Sequence, residues 1–136
     1  MSTCGNVVME RDGKYRVIYT HWDSYPSHNG KILLNSYTNP EKVWQLIQLG
    51  SISILGDEIG EKHAFENPPE GVVTAYNRDR EEPWDDTKYQ TFDSKEDALK
   101  VCDNDYTYLF KNGKWTFRKW DEKKFHKLTQ KVCQED

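Results

Sequence analysis

At the start of the chain, apolar and polar positions alternate with the period of a β-strand. Asn6–Glu10 and Lys14–Trp22 read as two strands, and Asp12-Gly13 between them is a preferred pair for a two-residue hairpin turn. In the second strand Tyr15, Val17, Tyr19 and His21 fall on one face, and Arg16, Ile18, Thr20 and Trp22 on the other. Apolar bulk on both faces predicts a central strand. A polar turn, Asp23–Gly30, follows, and Ile32, Leu33 and Leu34 predict a short helix ending near Tyr37. Asn39-Pro40 restarts a helix, with Asn39 as cap and Pro40 at the first helical position. Val43, Leu46 and Ile47 form its apolar stripe, and Gly50 ends it. Ser51–Leu55 reads as a short apolar connection, and Gly56–Glu70, with Pro68-Pro69, as an ordered loop.

Gly71–Tyr76 predicts a further strand, and Asn77–Gln90 a charged loop around Trp84. Asp93-Ser94-Lys95-Glu96 has the form of a capping box, with Asp93 in the cap position, before a helix to about Asp103. Asn112-Gly113 marks a second hairpin between Tyr106–Lys111 and Lys114–Trp120. Asp121 is placed to cap a last helix whose stripe is Phe125, Leu128 and Val132. The order of hairpin, helices, strand, helix, hairpin and helix predicts one α+β domain over residues 1–136. Its sheet is expected to be mainly antiparallel, with two β-hairpins and three to four short helices.

A chain of 136 residues suits one core, and an aromatic content of 13% predicts that rings build much of it and argues against disorder. The net charge of -4 argues against direct binding of duplex nucleic acid, which needs a positive field. The charge is uneven. Asp57–Glu96 holds twelve acids and five bases, whereas Lys111–Lys131 holds eight bases and two acids. These are either two solvated faces or an acidic partner-facing loop backed by a basic strand and helix. Cys4, Cys102 and Cys133 do not make a disulfide framework and point to a reducing compartment. The N-terminus lacks an apolar signal core and no run is long enough to cross a membrane, so a cytoplasmic protein is expected.

Three constellations carry candidate chemistry. In the first, His21, Trp22, Asp23, Tyr25 and His28 gather imidazoles, a carboxylate and aromatic planes at a strand end. Such a set can hold a base or another planar ligand, can pair His with Asp for acid–base work, or can simply pack and cap a turn. The second, Gly60-Glu61-Lys62-His63, invites a metal reading, but no ligand spacing supports it and His63 is expected to hydrogen-bond within its loop. The third, Tyr76, Arg78, Asp79 and Arg80, can grip a phosphate or carboxylate in fork geometry, or can form a solvated ion-pair cluster. No phosphate loop, dinucleotide fingerprint, nucleophile elbow or calcium loop occurs, so neither metal nor cofactor is expected and no catalytic residue is assigned.

These same blocks carry a resemblance. Tyr19–Gly30 followed by Lys31-Ile32-Leu33 resembles the signature of a group of small uncharacterised proteins of bacteria, phages and prophages, which reads His-Trp-Asp-Gly-Tyr-Pro, then Asn-Gly and an apolar helix. Lys42-Val43 with Leu46–Leu55, Gly60-Glu61-x-His63, Tyr76-x-Arg78-Asp79-Arg80, and Tyr106-x-Tyr108-x-Phe110 with Gly113-x-Trp115 are similar to its later blocks. Ser24 and Asn77 depart from it, standing where the group has glycine; a glycine needed there for a positive φ would mean an altered site in this chain. The resemblance implies a phage–host setting and no particular reaction.

The leading expectation is a non-enzymatic binding protein that inhibits or sequesters a host component, such as a CRISPR effector or a nucleotide signal. The expected partner is thus a host protein or a nucleotide-like small molecule. One alternative is a small hydrolase of a nucleotide-like substrate using His21, Asp23, His28 and His63; another is a structural or regulatory oligomer. The His21–Gly30 loop and the Tyr76–Arg80 turn are expected to meet and form the binding surface.

Overall fold

The computed structural model describes residues 3–135. In chain order the first elements are β1 (Gly5–Arg11), β2 (Lys14–Thr20), a π-helical turn (Pro26–Gly30), α1 (Lys31–Ser36), α2 (Pro40–Gln48) and β3 (Ile52–Ile54). Then come β4 (Thr74–Ala75), α3 (Tyr76–Arg80), α4 (Trp84–Thr87), β5 (Gln90–Phe92) and α5 (Lys95–Leu99). The last are β6 (Tyr106–Lys111), β7 (Lys114–Lys119), β8 (His126–Lys127) and α6 (Gln130–Glu135).

The fold is α+β, and both predicted hairpins form. Asp12 and Gly13 have φ of 56° and 78°, and Asn112 and Gly113 have 55° and 74°. Both turns therefore use the left-handed backbone whose twist matches that of the flanking strands. The sheet runs β4-β3-β2-β1-β6-β7-β8, with β5 also paired to β2. β1 with β6 and β2 with β3 are parallel; the other pairings are antiparallel. As its two apolar faces required, β2 is central: β1 takes one edge, and β3 and β5 share the other.

Apolar side chains leave the sheet on both sides. Val7, Met9, Ile18, Tyr108, Phe110, Trp115 and Phe117 pack against Leu33, Val43, Leu46 and Ile47 of α1 and α2. Val8, Tyr15, Val17 and Leu109 pack against Ala98 and Cys102 at α5. Each fully buried aliphatic chain stabilises the fold by roughly 1.5–3 kcal/mol. The rings also use their polar ends. The Tyr37 hydroxyl donates to the Gly56 carbonyl at 2.7 Å, Tyr108 to that of Ser24 at 2.6 Å, and Trp115 Nε1 to that of Tyr37 at 2.9 Å. Aromatic burial thus pins loops as well as filling the core.

Several elements differ from expectation. The connection Ser51–Leu55 contains β3, whose short apolar run pairs with both β2 and β4. The strand expected over Gly71–Tyr76 shortens to Thr74–Ala75, and the charged loop after it holds α3, α4 and the start of β5. Ser94, rather than Asp93, caps α5 by accepting from the Asp97 amide at 3.1 Å; Asp93 pairs instead with Lys14. α5 stops at Leu99 and does not reach Asp103. The largest correction concerns the last helix. It begins at Gln130, and Asp121 does not cap it. His126–Lys127 pairs with β7, so Phe125 and Leu128 project to opposite sides of a strand and enter different clusters. A three-residue apolar spacing fits a helix, but it also fits two sides of a strand. With α3 and α4 added, the described residues hold six α-helices rather than three to four.

Candidate functional site: a polar hollow at a split in the sheet

β3 pairs with β2 at Thr20, and β5 pairs with it at Tyr15–Val17. Neither strand pairs with Ile18 or Tyr19 between them. A hollow of about 280 Å³ opens at this split, lined chiefly by Asn6, Tyr19, Ser51, Lys88, Gln90 and Asn104. Asn6 and Tyr19 are register partners across β1 and β2, which puts an amide beside a phenol on the sheet. The Asn6 side chain is buried and held at both ends: Nδ2 donates to the Ile18 carbonyl at 3.2 Å, and Oδ1 accepts from Asn104 Nδ2 at 2.8 Å.

The opposite wall depends on Gly50. Its φ is 76°, and a Cβ there would lie 2.3 Å from the Thr87 carbonyl oxygen. Glycine therefore allows the chain to leave α2 and bring Ser51 N within 2.7 Å of that same oxygen, tying β3 to the segment entering β5. The Tyr19 hydroxyl lies 2.6 Å from His21 Nδ1 and donates to Cys4 Sγ at 3.1 Å, while the Cys4 amide donates to Asp105 at 3.1 Å. Burial, aided by the bond to Cys4, pushes the Tyr19 pKa well above its ordinary value, so the phenol stays protonated and acts as a hydrogen-bonding group. Asp86 and Lys88 place one charge of each sign on the lining. The arrangement can satisfy the edge of a planar polar molecule. Among the described residues, no hydrogen bond or ion pair joins His21 to a carboxylate, the pairing that acid–base chemistry uses.

The two expected constellations meet only in part. His21 and Trp22 prolong β2 by donating their amides to Ile52 and Ser53, and Tyr76 donates its amide to Ser51 from the far side of β3. Burial raises the Tyr76 pKa, and its hydroxyl is hydrogen-bonded to Ser53. His21 and Tyr76 therefore flank one short strand next to the hollow. Trp22 is 42% exposed and meets the His21 ring edge-on at 4.7 Å.

The remainder of Asp23–Gly30 turns away into its own packing. Asn29 donates to the Trp22 carbonyl and to Ser24 Oγ, and Tyr25 donates to Asp23 at 3.2 Å. His28 bonds Asn29, and its ring meets that of Tyr25. Gly30 sits against Tyr108 and Leu128. Among the described residues, no hydrogen bond, ion pair or ring contact joins Asp23–Gly30 to Tyr76–Arg80. Ser24 and Asn77 do not have positive φ, so this chain's backbone does not demand glycine at either position; Asp23 carries the left-handed turn, at φ 59°.

Arg78 is fully engaged. Its Nε and one Nη2 hydrogen bond the Asp79 carboxylate at 3.0 and 3.2 Å, and the other donors reach the carbonyls of Ile59, Gly60 and Val73. A guanidinium has five N–H donors, and all five are used. Asp79, with its side chain fully buried, also accepts from the amides of Ala75 at 2.7 Å and His63 at 3.1 Å. Burial alone would raise the Asp79 pKa, but Arg78 and these amides outweigh it and hold the carboxyl below its ordinary value. His63 bonds Thr74 through Nε2 and the Glu61 carbonyl through Nδ1. Arg80 pairs with Glu82 and lies over the rings of Phe65 and Tyr76. This block clasps the 58–63 loop to β4.

Asn6, Tyr19, Ser51, Lys88 and Asn104 were not among the candidates. The available signal was Asn6, an amide standing beside Val7 and Val8 in a strand, since a buried polar side chain is more informative than an exposed apolar one. Among the described residues, no three His, Cys, Asp or Glu side chains converge as a metal-binding group, and no helix is long and apolar enough to cross a membrane. In comparisons with protein-family models, curated proteins and solved structures, the chain matches none.

Proposed function

We propose that this chain is a non-enzymatic binding protein that sequesters a small, planar, nucleoside-like ligand in the hollow between β3 and β5. The observation that carries the reading is the hollow itself: an amide-and-phenol floor opening at a split in the sheet. Its volume, about 280 Å³, is near the lower end of ligand pockets and suits a base or nucleoside rather than a long chain. The resemblance to the phage and prophage group supports the setting of a host-derived signal captured by a phage-type protein. The hydrolase reading draws less support, because His21, Asp23, His28 and His63 have separate partners.

The test is thermal denaturation of the full chain with nucleobases, nucleosides and mononucleotides, followed by chromatography of the ligand. A ligand present at a hundred times its Kd adds about 2.7 kcal/mol of stability, a readily measured rise in Tm. We expect at least one compound to raise the Tm, to be recovered unchanged, and to lose its effect in Asn104→Trp, which fills the hollow. The reading fails if no compound raises the Tm, if Asn104→Trp responds like the wild type, or if the ligand is converted.

A further inference from the structure

The bases between positions 111 and 131 have no bearing on the hollow, and the fold gathers many of them on one strip. Lys111, Lys114, Arg118, Lys119, Lys123, Lys124, Lys127 and Lys131 stand against Asp121 and Glu122 alone. Among the described residues, none of these eight cations forms an ion pair with a carboxylate; Lys111 alone is partly committed, donating to the Tyr15 hydroxyl at 2.6 Å and lying in the field of Glu10 and Glu96. Glu122 is already committed, accepting from the Lys119 amide at 3.1 Å and pairing with His126 at 2.9 Å.

Strand geometry orients the strip. Leu109 packs in the cluster with α5, so its register partner Thr116 lies on that same face. With Thr116 go Lys114 and Arg118 on β7, Lys111 on β6 and Lys127 on β8, by alternation and pairing. α5 covers the middle of this face but leaves its outer edge open. There a hollow of about 420 Å³ is lined by Lys95, Leu109, Lys111, Asn112, Lys114, Thr116 and Phe125. Phe125 holds two cations over its ring, Lys95 at 4.9 Å and Arg118 at 5.2 Å. A ring positions a cation without neutralising it, so the field of the strip survives. Trp120 follows directly on β7 and is 72% exposed, the most exposed large apolar side chain described. From Lys114 to Trp120 the strand spans roughly 20 Å, room for several nucleotides.

We propose that this outer strip, from the hollow at Lys95, Lys111, Lys114 and Phe125 to the indole of Trp120, binds single-stranded nucleic acid. Lys114, Arg118 and Lys127 take successive phosphates, and Trp120 offers a flat face on which a base stacks. A duplex keeps its bases inside and cannot use the indole, and an acidic polypeptide does not bring a ring with every charge as a single strand does. Single strands are therefore the occupant that answers both features. This inference is independent of the ligand proposed for the hollow at the split.

The experiment is fluorescence anisotropy of the full chain with labelled twelve-nucleotide single strands, oligo(dT) and oligo(U), beside a duplex of equal length and polyglutamate as competitor. With about four phosphate contacts, affinity for the single strand should fall about 50-fold between roughly 50 and 200 mM salt. Trp120→Ala should weaken it roughly tenfold. Lys114→Glu with Lys127→Glu should abolish it at the higher salt, and both variants should keep the wild-type circular dichroism and melting temperature. The proposal is overturned if single strands do not bind at low salt. It is also overturned if duplex binds as well and Trp120→Ala changes nothing, or if polyglutamate competes on equal terms with the oligonucleotide.

Discussion

Replacing Arg78 with methionine keeps an unbranched apolar stem, drops the guanidinium and removes five hydrogen bonds at one stroke. Three carbonyls, of Ile59, Gly60 and Val73, lose a donor. The Asp79 carboxylate, fully buried, loses its cation and keeps only the amides of Ala75 and His63. Breaking a buried pair from one side costs about 3–5 kcal/mol, because the remaining charge is stranded. For a domain of this size that corresponds to a fall in Tm of roughly 10 °C or more. The pH dependence gives a second handle. The folded-state pKa of Asp79 lies below the ordinary 3.8, so the carboxylate's contribution is fully present above that value and is lost as pH falls through the folded pKa. Asp79→Asn should therefore lower stability at neutral pH and flatten the acid limb of the stability curve. Urea denaturation of wild type, Arg78→Met and Asp79→Asn between pH 3 and 7 measures both effects. A loss below about 1 kcal/mol at pH 7 for Arg78→Met would refute the clasp, as would weakened ligand binding by a variant that remains fully folded.

Gly50→Ala should destabilise the fold by at least about 1–3 kcal/mol in denaturant titrations, since φ is 76° and the added Cβ meets the Thr87 carbonyl; an unchanged midpoint would show that the close approach is not needed. Thr20 is buried and its Oγ1 has no partner among the described residues, so Thr20→Val should raise stability by up to about 1–2 kcal/mol in the same assay. Burial pushes the Cys102 thiol up to about 12. Native protein at pH 8 should therefore leave Cys102 unalkylated by iodoacetamide, as read by peptide mass spectrometry, while protein in urea reacts fully.

Local rules made the hairpins, the Asn39 cap and the α2 stripe legible, because a two-residue turn or a side-chain cap is decided by neighbours in sequence. Asn39 does accept from the Glu41 amide, at 2.9 Å. β3, β4, β5 and β8 are two or three residues long and exist through partners far along the chain, such as Ile52 beside Thr20 and Tyr15 beside Phe92. Nothing within Ser51–Leu55 or His126–Lys127 states those pairings. The candidate site has the same character. His21 and Tyr76 were singled out and flank β3 without lining the hollow, whose floor comes from Asn6, Tyr19 and Asn104, which only the register of β1 with β2 and the path of the chain after α5 bring together. Arg78 and Asp79 were legible as a charged pair, yet their sequence neighbourhood could not show that the pair is buried and faces inward.

The most direct test of the proposed ligand site is amide chemical-shift mapping of the isotope-labelled chain, titrated with each nucleoside and mononucleotide of the panel. The account predicts saturable shifts clustered at Asn6, Tyr19, Ser51, Lys88 and Asn104, with Tyr25, His28 and Arg78 unmoved. Shifts confined to Asp23–His28 or to Tyr76–Arg80, or no shift with any compound, would contradict it.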